Sequence, residues 1–242
     1  MRQWFFFLCC VLPLLLLAQN QVNLELWYKN HIVKSVTTTH KVVALTFDDG
    51  PHYKTTPKIL DVLKEKQVRA TFFILGVNAK NSPQILAREL ADGHELGNHG
   101  YSHKHLTEMT KENVEQEMSR TEEIIMALAP KPVIFRPPGG FFDKKVLETA
   151  EEKGYTTVLW TIDPHDWARP PMQKVVNEVL DNIKPGSIIL MHDGQYPLPT
   201  PEAIVYVIDN LRQQGYEFVT VSELLQYSEF EKVRHSYNIY NW

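Results

Sequence analysis

The sequence predicts an α/β protein in which about seven parallel strands alternate with helices, and three observations support this fold class. Short apolar runs rich in β-branched and aromatic residues recur along the chain, and each is followed by about 10–15 residues with helical periodicity. Continuous apolar strands are typical of parallel sheets that helices cover. The 242 residues are 43% hydrophobic and 11% aromatic with no sustained heptad repeat, which excludes disordered, collagen-like and coiled-coil proteins.

The seven predicted units follow one another from Lys41, and no linker or repeat divides them. The predicted strands are Val42–Phe47, Ala70–Leu75, His94–Gly97, Val133–Phe135, Thr156–Ile162, Ser187–Met191 and Glu217–Val221. Capping residues and apolar spacing place the helices between them. The first two predicted helices begin at Thr56–Pro57 and Ser82–Pro83. The next four span Lys111–Leu128, Asp143–Gly154, Gln173–Ile183 and Glu202–Gln213, and Ser222 caps the last one.

The first 21 residues have the pattern of a secretory signal peptide. Arg2 precedes an apolar run from Trp4 to Ala18, which is shorter than the ~20 residues that a membrane span needs. An uncleaved anchor is the alternative, because Leu16 stands where a small residue usually precedes the cleavage site. We expect residues 22–40 to be a lead-in or short hairpin, 41–228 to form the single domain, and 229–242 to be a tail without an assignment.

Charge and cysteine usage narrow the possible ligands. The net charge of −4 lacks the basic balance of a nucleic-acid-binding protein. Both cysteines lie in the predicted signal peptide, whereas the chain has ten histidines. A metal site in the mature protein would therefore be built from histidine and carboxylate. Without the N-terminal segment, we expect no stable membrane insertion.

Two architectures fit the alternating pattern, an open doubly wound sheet and a (β/α) barrel. An open sheet usually carries a glycine-rich phosphate loop after its first strand, but here Asp48-Asp49-Gly50-Pro51 follows, which would repel phosphate. In a barrel, the carboxyl ends of the strands share one face, and that face carries the active site. The chemically distinctive residues all follow predicted strands, in five segments: Asp48 and Asp49; His99 and His103; Arg136; Asp163, Asp166 and Trp167; His192 and Asp193.

Three of these residues form a candidate metal set. His99 and His103 have the i, i+4 spacing that places two imidazoles on one side of a helical turn, and Asp49 would add a carboxylate. Such a set suits hydrolytic zinc or, alternatively, non-haem iron. Asp48 would then be free to act as a base. The ordinary alternatives are a loop or cap pair for the two aspartates and a chance pair for the histidines.

The remaining segments also have an ordinary and a chemical interpretation. Arg136 begins Arg-Pro-Pro-Gly-Gly, which is either a surface loop or a rigid approach to a ligand. Trp167 is either a packing residue or a sugar platform. His192 follows an apolar run, so it is either a core histidine or a general acid.

Taken together, the five segments resemble the ordered motifs of the polysaccharide deacetylases with the NodB homology domain, carbohydrate esterase family 4. The resemblance covers roughly residues 41–226 and rests on Thr46–Pro51, His99-x-x-x-His103, Arg136–Gly140, Asp163-x-x-Asp166-Trp167 and Leu190–His192. It implies a distorted (β/α) barrel and metal-dependent removal of acetyl groups from N-acetylglucosamine-type polymers. The metal would be zinc, with cobalt, nickel or manganese as alternatives.

The resemblance also implies a role for each matching residue. Asp49, His99 and His103 would bind the metal, Asp48 would be the base and His192 the acid. Arg136 would hold Asp48, and Asp166 would raise the pKa of His192. Trp167 and Leu190 would line the acetyl pocket, and the backbone N–H of Gly139 would help to hold the oxyanion. Gly139 departs from the family pattern, because a larger residue, commonly Tyr, often stands there.

Several alternatives stay open from the sequence. The acetylated polysaccharide is peptidoglycan, a chitin oligomer or another acetylated glycan. An O-acetyl esterase acting on a xylan-type substrate and a non-catalytic sugar-binding relative are the competing functions. A non-haem iron oxygenase is disfavoured, since such enzymes usually have a double-stranded β-helix rather than helix-rich periodicity.

Overall fold

The computed structural model describes residues 31–228. The predicted signal peptide and the predicted C-terminal tail lie outside the described residues. No described helix is both long and apolar enough to cross a membrane. Residues 31–40, the described part of the expected lead-in, contain a short strand that pairs in parallel with the sheet and not as one arm of a hairpin.

One sheet of eight strands forms the centre of the domain, and all of its named strand pairings are parallel. The strands are β1 (Ile32–Val33), β2 (Val42–Asp48), β3 (Thr71–Ile74), β4 (Glu95–Asn98), β5 (Ile134–Phe135), β6 (Thr156–Val158), β7 (Ile188–His192) and β8 (Glu217–Val219). Their order in the sheet is β1-β6-β5-β4-β3-β2-β7, and β8 pairs with the first half of β2. Two bridges close the sheet into a barrel: Ser35, after β1, pairs with Ser187, and Ile162, after β6, pairs with Ile189 of β7.

Helices follow the strands around the outside of the barrel. They are α1 (Thr56–Glu65), α2 (Gly76–Asn81), α3 (Pro83–Ala91), α4 (Lys111–Met126), α5 (Lys144–Glu152), α6 (Met172–Asn182), α7 (Thr200–Gln213) and α8 (Val221–Leu225). The predicted (β/α) barrel with seven parallel strands is confirmed, with β1 as an additional short strand. Asp143 caps α5 as predicted, since its carboxylate accepts from the Val146 N–H.

The structure differs from the local predictions in three places. Helix α2 begins at Gly76, between the predicted strand that ends at Leu75 and the predicted helix that begins at Ser82–Pro83, where no helix was predicted. Strand β6 ends at Val158 and not at Ile162, because the carbonyl oxygens of Val158 and Leu159 accept from the Arg136 guanidinium. The cap of α8 is Thr220 and not Ser222, because Thr220 and Glu223 form a reciprocal capping box.

The alternation of side chains along β2 explains how the barrel positions its polar residues. Val43, Leu45 and Phe47 pack outward in the core cluster that contains helix residues such as Ile59 and Ile204. Val42 and Ala44 belong to a second cluster with residues of other strands, such as Phe73, Ile134 and Ile188, inside the barrel. Because side chains alternate with period two, Thr46 and Asp48 continue this inward series toward the carboxyl end.

Candidate active site and metal centre

Asp48 is the last residue of β2, and a fully buried arginine holds it in place. The Asp48 Oδ1 accepts a 2.6 Å hydrogen bond from Arg136 Nη1, which also donates to Thr46 Oγ1 at 2.8 Å. The guanidinium lies 3.9 Å from the ring centroid of Phe73. Arg136 follows β5 and has no exposed surface. The Nε and Nη2 groups of Arg136 donate to the backbone carbonyls of Val158 and Leu159, so only Nη1 contacts Asp48. The Oδ1 of Asp48 is therefore fixed by Arg136, and its Oδ2 is available for another contact.

Arg136 keeps its charge although it is fully buried. Burial lowers the pKa of Arg136, while the neighbouring Asp48 carboxylate opposes that shift. A guanidinium retains its proton under such conditions, because its ordinary pKa is far above neutral pH. The sequence prediction that Arg136 is near Asp48 is thus seen as a direct contact, and the surface-loop alternative is wrong.

Asp49 lies between two histidines, whereas its neighbour Asp48 is held by Arg136. Its backbone is in the left-handed region, with φ of 74°, and this turns the side chain away from the direction of Asp48. Asp49 Oδ1 lies 3.3 Å from His99 Nε2 and 3.1 Å from His103 Nε2. Two adjacent carboxylates are therefore available for two separate tasks.

His99 presents one defined ring nitrogen to this cluster. Its Nδ1 lies 2.8 Å from the carbonyl oxygen of Arg136. A carbonyl only accepts, so Nδ1 carries a proton and donates it, which leaves Nε2 facing Asp49 as the ligand atom. Metal-binding histidines commonly have such a carbonyl partner, because it fixes the ring orientation and the tautomer.

The two histidines lie on a loop after β4, so the predicted helical turn was wrong. Gly100 and His103 both have positive φ, 75° and 59°, and this reverses the chain so that the two rings lie 5.4 Å apart. Buried Glu117 of α4 holds the loop, because its carboxylate accepts from the N–H groups of Tyr101 and Ser102 and from the Ser102 hydroxyl.

The electrostatics of the cluster suit a cation. Burial raises the pKa of Asp49, but the two neighbouring imidazoles, His103 and His99, outweigh burial and hold that pKa well below its usual value. Asp49 in turn raises the pKa of His103. The three ligand atoms lie within 4.8 Å of one another, and the buried Asp49 Oδ1 has no well-formed hydrogen bond among the described residues. These residues therefore fit a divalent metal ion with two nitrogen ligands and one oxygen ligand.

His192 and Asp166 form a second buried pair on the other side of Asp48. His192 ends β7 and is in register with Asp48 of β2. Its Nδ1 lies 2.8 Å from Asp166 Oδ1, and its N–H donates to Asp166 Oδ2 at 2.9 Å. Burial alone would lower the pKa of His192, but the hydrogen bond and charge of Asp166 raise it to about 9. The raised pKa distinguishes His192 from an ordinary core histidine, whose pKa burial would lower.

The other predicted site residues lie on the same end of the barrel. Leu190 is buried two residues before His192, so it faces the same side of β7. Trp167 follows Asp166 in a short 3₁₀ turn, is exposed, and packs near the ring of His165. Gly139 lies in another 3₁₀ turn with φ of 63°, where an added Cβ would come within 2.9 Å of the Phe141 ring.

Two supporting residues were missed at the sequence level. Glu117 lies on the buried side of α4 with Val114, Met118 and Thr121. A carboxylate on an otherwise apolar stripe was the signal that would have identified it. Thr200, the first residue of α7, donates its hydroxyl to Asp166 Oδ2. A threonine at a helix start predicts only a cap, so no signal distinguished this contact.

Comparison with known proteins places the chain in a family. A family model described as polysaccharide deacetylase matches residues 35–158. The chain belongs to the polysaccharide deacetylase family. Family membership identifies it as a hydrolase of carbon–nitrogen bonds other than peptide bonds.

Three similar proteins illustrate the relationship. A peptidoglycan-N-acetylglucosamine deacetylase of Bacillus cereus is 39% identical over 206 residues, which cover 84% of this chain and 97% of that protein. A chitooligosaccharide deacetylase of Bradyrhizobium sp. is 37% identical over 196 residues, which cover 75% and 90%. The crystal structure of the Bc1960 peptidoglycan N-acetylglucosamine deacetylase, in complex with 4-naphthalen-1-yl-N-oxidanyl-benzamide, superposes with a TM-score of 0.80 at 38% identity, covering 84% of this chain and 97% of that one.

Proposed function

We propose that this protein is an exported, metal-dependent deacetylase that hydrolyses the N-acetyl group of N-acetylglucosamine-type residues in peptidoglycan or chitin-like polymers. One observation carries the proposal. A carboxylate held by a buried arginine and a histidine held by a buried carboxylate end two neighbouring strands, beside an Asp-His-His cluster. Export is proposed from the signal-peptide pattern of the first 21 residues.

Asp49, His99 and His103 would hold the metal. When bound, a divalent ion at such a site lowers the pKa of water and polarises a carbonyl oxygen as a Lewis acid. Zinc is the ion we propose, because two imidazoles and one carboxylate leave coordination positions open, as in hydrolytic zinc sites. Cobalt, nickel and manganese are the alternatives that the same ligands accept.

Asp48 would be the general base. Its Oδ1 is occupied by Arg136, and its Oδ2 lies 3.7 Å from Nε2 of His99, one of the residues that would hold the metal. Arg136 stabilises the ionised carboxylate, so Asp48 is able to accept a proton from the attacking water. The water oxygen then bonds to the acetyl carbon as the carbonyl becomes an oxyanion.

His192 would be the general acid. Asp166 keeps its imidazole protonated, and the acid proton goes to the sugar nitrogen as the carbon–nitrogen bond breaks. The products are acetate and a free amine. Gly139 would donate its N–H to the oxyanion, a contact of the kind worth about 3 kcal/mol, while Trp167 and Leu190 would enclose the acetyl methyl group.

Acetate release provides the test. The protein is treated with a chelator and assayed with and without added zinc or cobalt, on N-acetylated chito-oligosaccharides and on purified peptidoglycan. We expect release from at least one substrate and only with metal. Release only from an O-acetylated xylan would favour the esterase, and no release from any substrate by protein with metal bound would favour a sugar-binding relative.

A pair of variants separates the two aspartates. Asp49→Ala should lose metal and activity together, which elemental analysis of the purified protein measures. Asp48→Asn should retain metal and the fold, because an amide oxygen still accepts from Arg136, but should lose turnover. A fully active Asp48→Asn protein would contradict the mechanism.

A further inference from the structure

A cluster of aromatic and cationic side chains lies at the rim of the barrel, on the loops after β2 and β7 and on the first turn of α1. We define this rim patch as Tyr53, Lys54, Lys58 and Tyr196. Tyr53 is 65% exposed and Tyr196 is 46% exposed. Lys54 Nζ lies 4.9 Å from the Tyr196 ring centroid and 5.4 Å from that of Tyr53, and Lys58 Nζ lies 5.3 Å from that of Tyr196. The aromatic rings hold both ammonium groups in defined positions.

The positive charge of the rim patch is not neutralised within the described part of the chain. Neither Lys54 nor Lys58 has a carboxylate within salt-bridge distance among residues 31–228. Arg169, whose Nη2 donates to Gln195 Oε1 at 3.3 Å, adds a third cation next to Tyr196 and also has no such carboxylate there. These three cations without a salt-bridge partner contrast with the net charge of −4 of the whole sequence.

The rim patch is directly connected to the candidate active site. Strands β2 and β7 end at Asp48 and His192. Tyr53, Lys54 and Tyr196 lie on the loops that follow these strands, and Lys58 lies on the first turn of α1. The β7–α7 loop packs against the metal cluster, because a Cβ added at Gly194 would lie 2.3 Å from the Asp49 Cβ. The Thr55 hydroxyl donates to the Gln195 carbonyl and joins the two loops. Tyr53 is four residues from Asp49, a distance of at most about 14 Å even for extended chain.

We propose that the rim patch binds the carboxylates of the peptide stems of peptidoglycan beside the sugar being deacetylated, and so gives the enzyme a preference for this anionic glycan over neutral chitin-like polymers. This inference rests on the proposed function. The lysines contact a stem carboxylate as charged donors, and the exposed tyrosine faces contact the sugars. Chitin oligomers offer the tyrosines a partner but offer the lysines none.

The test compares one pair of substrates and one pair of variants. The substrates are soluble peptidoglycan fragments with free stem carboxylates and the same fragments with those carboxylates converted to amides. The test variant is Lys54→Gln/Lys58→Gln. The control is Lys41→Gln/Lys184→Gln, which removes the same charge at the amino ends of the same two strands.

We expect the wild-type protein to prefer the free-carboxylate fragment in kcat/KM. The test variant should lose about tenfold of this preference, mainly through KM, which is the size expected for two exposed charge contacts. The control should keep it, and 0.5 M salt should reduce it in the wild type. Equal preference in the test variant and wild type, or an equal loss in the control, would overturn the proposal.

Direct binding separates this proposal from the proposed function. The affinity of each protein for the two fragments is measured by titration calorimetry with the catalytically impaired Asp48→Asn substitution present throughout. Tighter binding of the free-carboxylate fragment, lost in the test variant, supports the rim patch whether or not acetate is released in the activity assay. Equal affinity for both fragments would overturn it, even for an active deacetylase.

Discussion

Replacing Asp166 by asparagine should remove the interaction that keeps His192 protonated. Asp166 is fully buried and contacts both the Nδ1 and the backbone N–H of His192. Asparagine preserves the size and one acceptor but removes the charge. The pKa of His192 should then fall from about 9 to 6.5 or below, because burial of the imidazole is the largest effect that remains.

The size of the effect follows from that change. The difference between 9 and the ordinary value of 6.5 corresponds to about 3 kcal/mol of preference for the imidazolium in the folded protein. Because the folded pKa is raised, this stabilisation is fully present below pH 6.5 and is lost as the pH rises to 9. At pH 8, the protonated fraction should fall from about nine-tenths to a few per cent, a loss of about 30-fold in available acid.

Histidine NMR titration of the metal-free protein measures the pKa directly, with His192→Gln used to assign the resonance. Urea unfolding at pH 6 and pH 9.5 measures the stability, and the wild type should lose more of it between these values than Asp166→Asn. Thr200→Val is the matched control, since it removes the hydroxyl contact to Asp166 but leaves the charge. A His192 pKa near 6.5 in the wild type, or one unchanged in Asp166→Asn, would refute the reasoning.

Two further substitutions probe the supporting contacts. Arg136→Gln leaves Asp48 buried without its counterion and should destabilise the fold by about 3–5 kcal/mol, measured by urea unfolding; a loss below 1 kcal/mol would contradict this. Glu117→Gln weakens the bonds that hold the histidine loop and should reduce metal affinity at least about tenfold in a metal titration, whereas unchanged affinity would assign Glu117 no positioning role.

Glu89→Gln should stabilise the protein at alkaline pH. Burial and nearby Asp193 raise the Glu89 pKa well above its usual value, so wild-type stability falls by up to about 1.4 kcal/mol per pH unit above the unfolded pKa. Thermal unfolding at pH 5 and pH 9 should show a gain for Glu89→Gln only at pH 9; equal effects at both values would be evidence against a buried titrating acid.

The barrel was predictable because its strands carry a strong local signal. All seven residues of β2 are buried, and its continuous apolar run predicts a parallel strand even when the neighbouring strands are unknown. The position of the site was predictable for a related reason. Parallel strands place their carboxyl ends together, so Asp48 and His192 had to end on one face once their strands were recognised.

The geometry of the loop that carries His99 and His103 could not be predicted from the sequence, because it depends on contacts between residues that are distant in the chain. The left-handed backbone at His103 has no sequence signal, and the loop is held by Glu117 from α4. Strand β6 was predicted too long, since its apolar run continues while its carbonyls turn to Arg136. The α8 cap was different, because the Thr-x-x-Glu pattern that begins at Thr220 was present in the sequence and was overlooked.

The two halves of the site are held by different kinds of structure. Asp48 and His192 are paired in register on strands, and a shift of one residue would turn each side chain to the opposite face, so the fold itself fixes their separation. His99 and His103 depend on side-chain contacts to a loop, such as the Thr121 hydroxyl that donates to the Gly100 carbonyl. Substitutions in that loop support should therefore change metal affinity while the base and acid keep their spacing, whereas loss of Arg136 or Asp166 should act on proton transfer first.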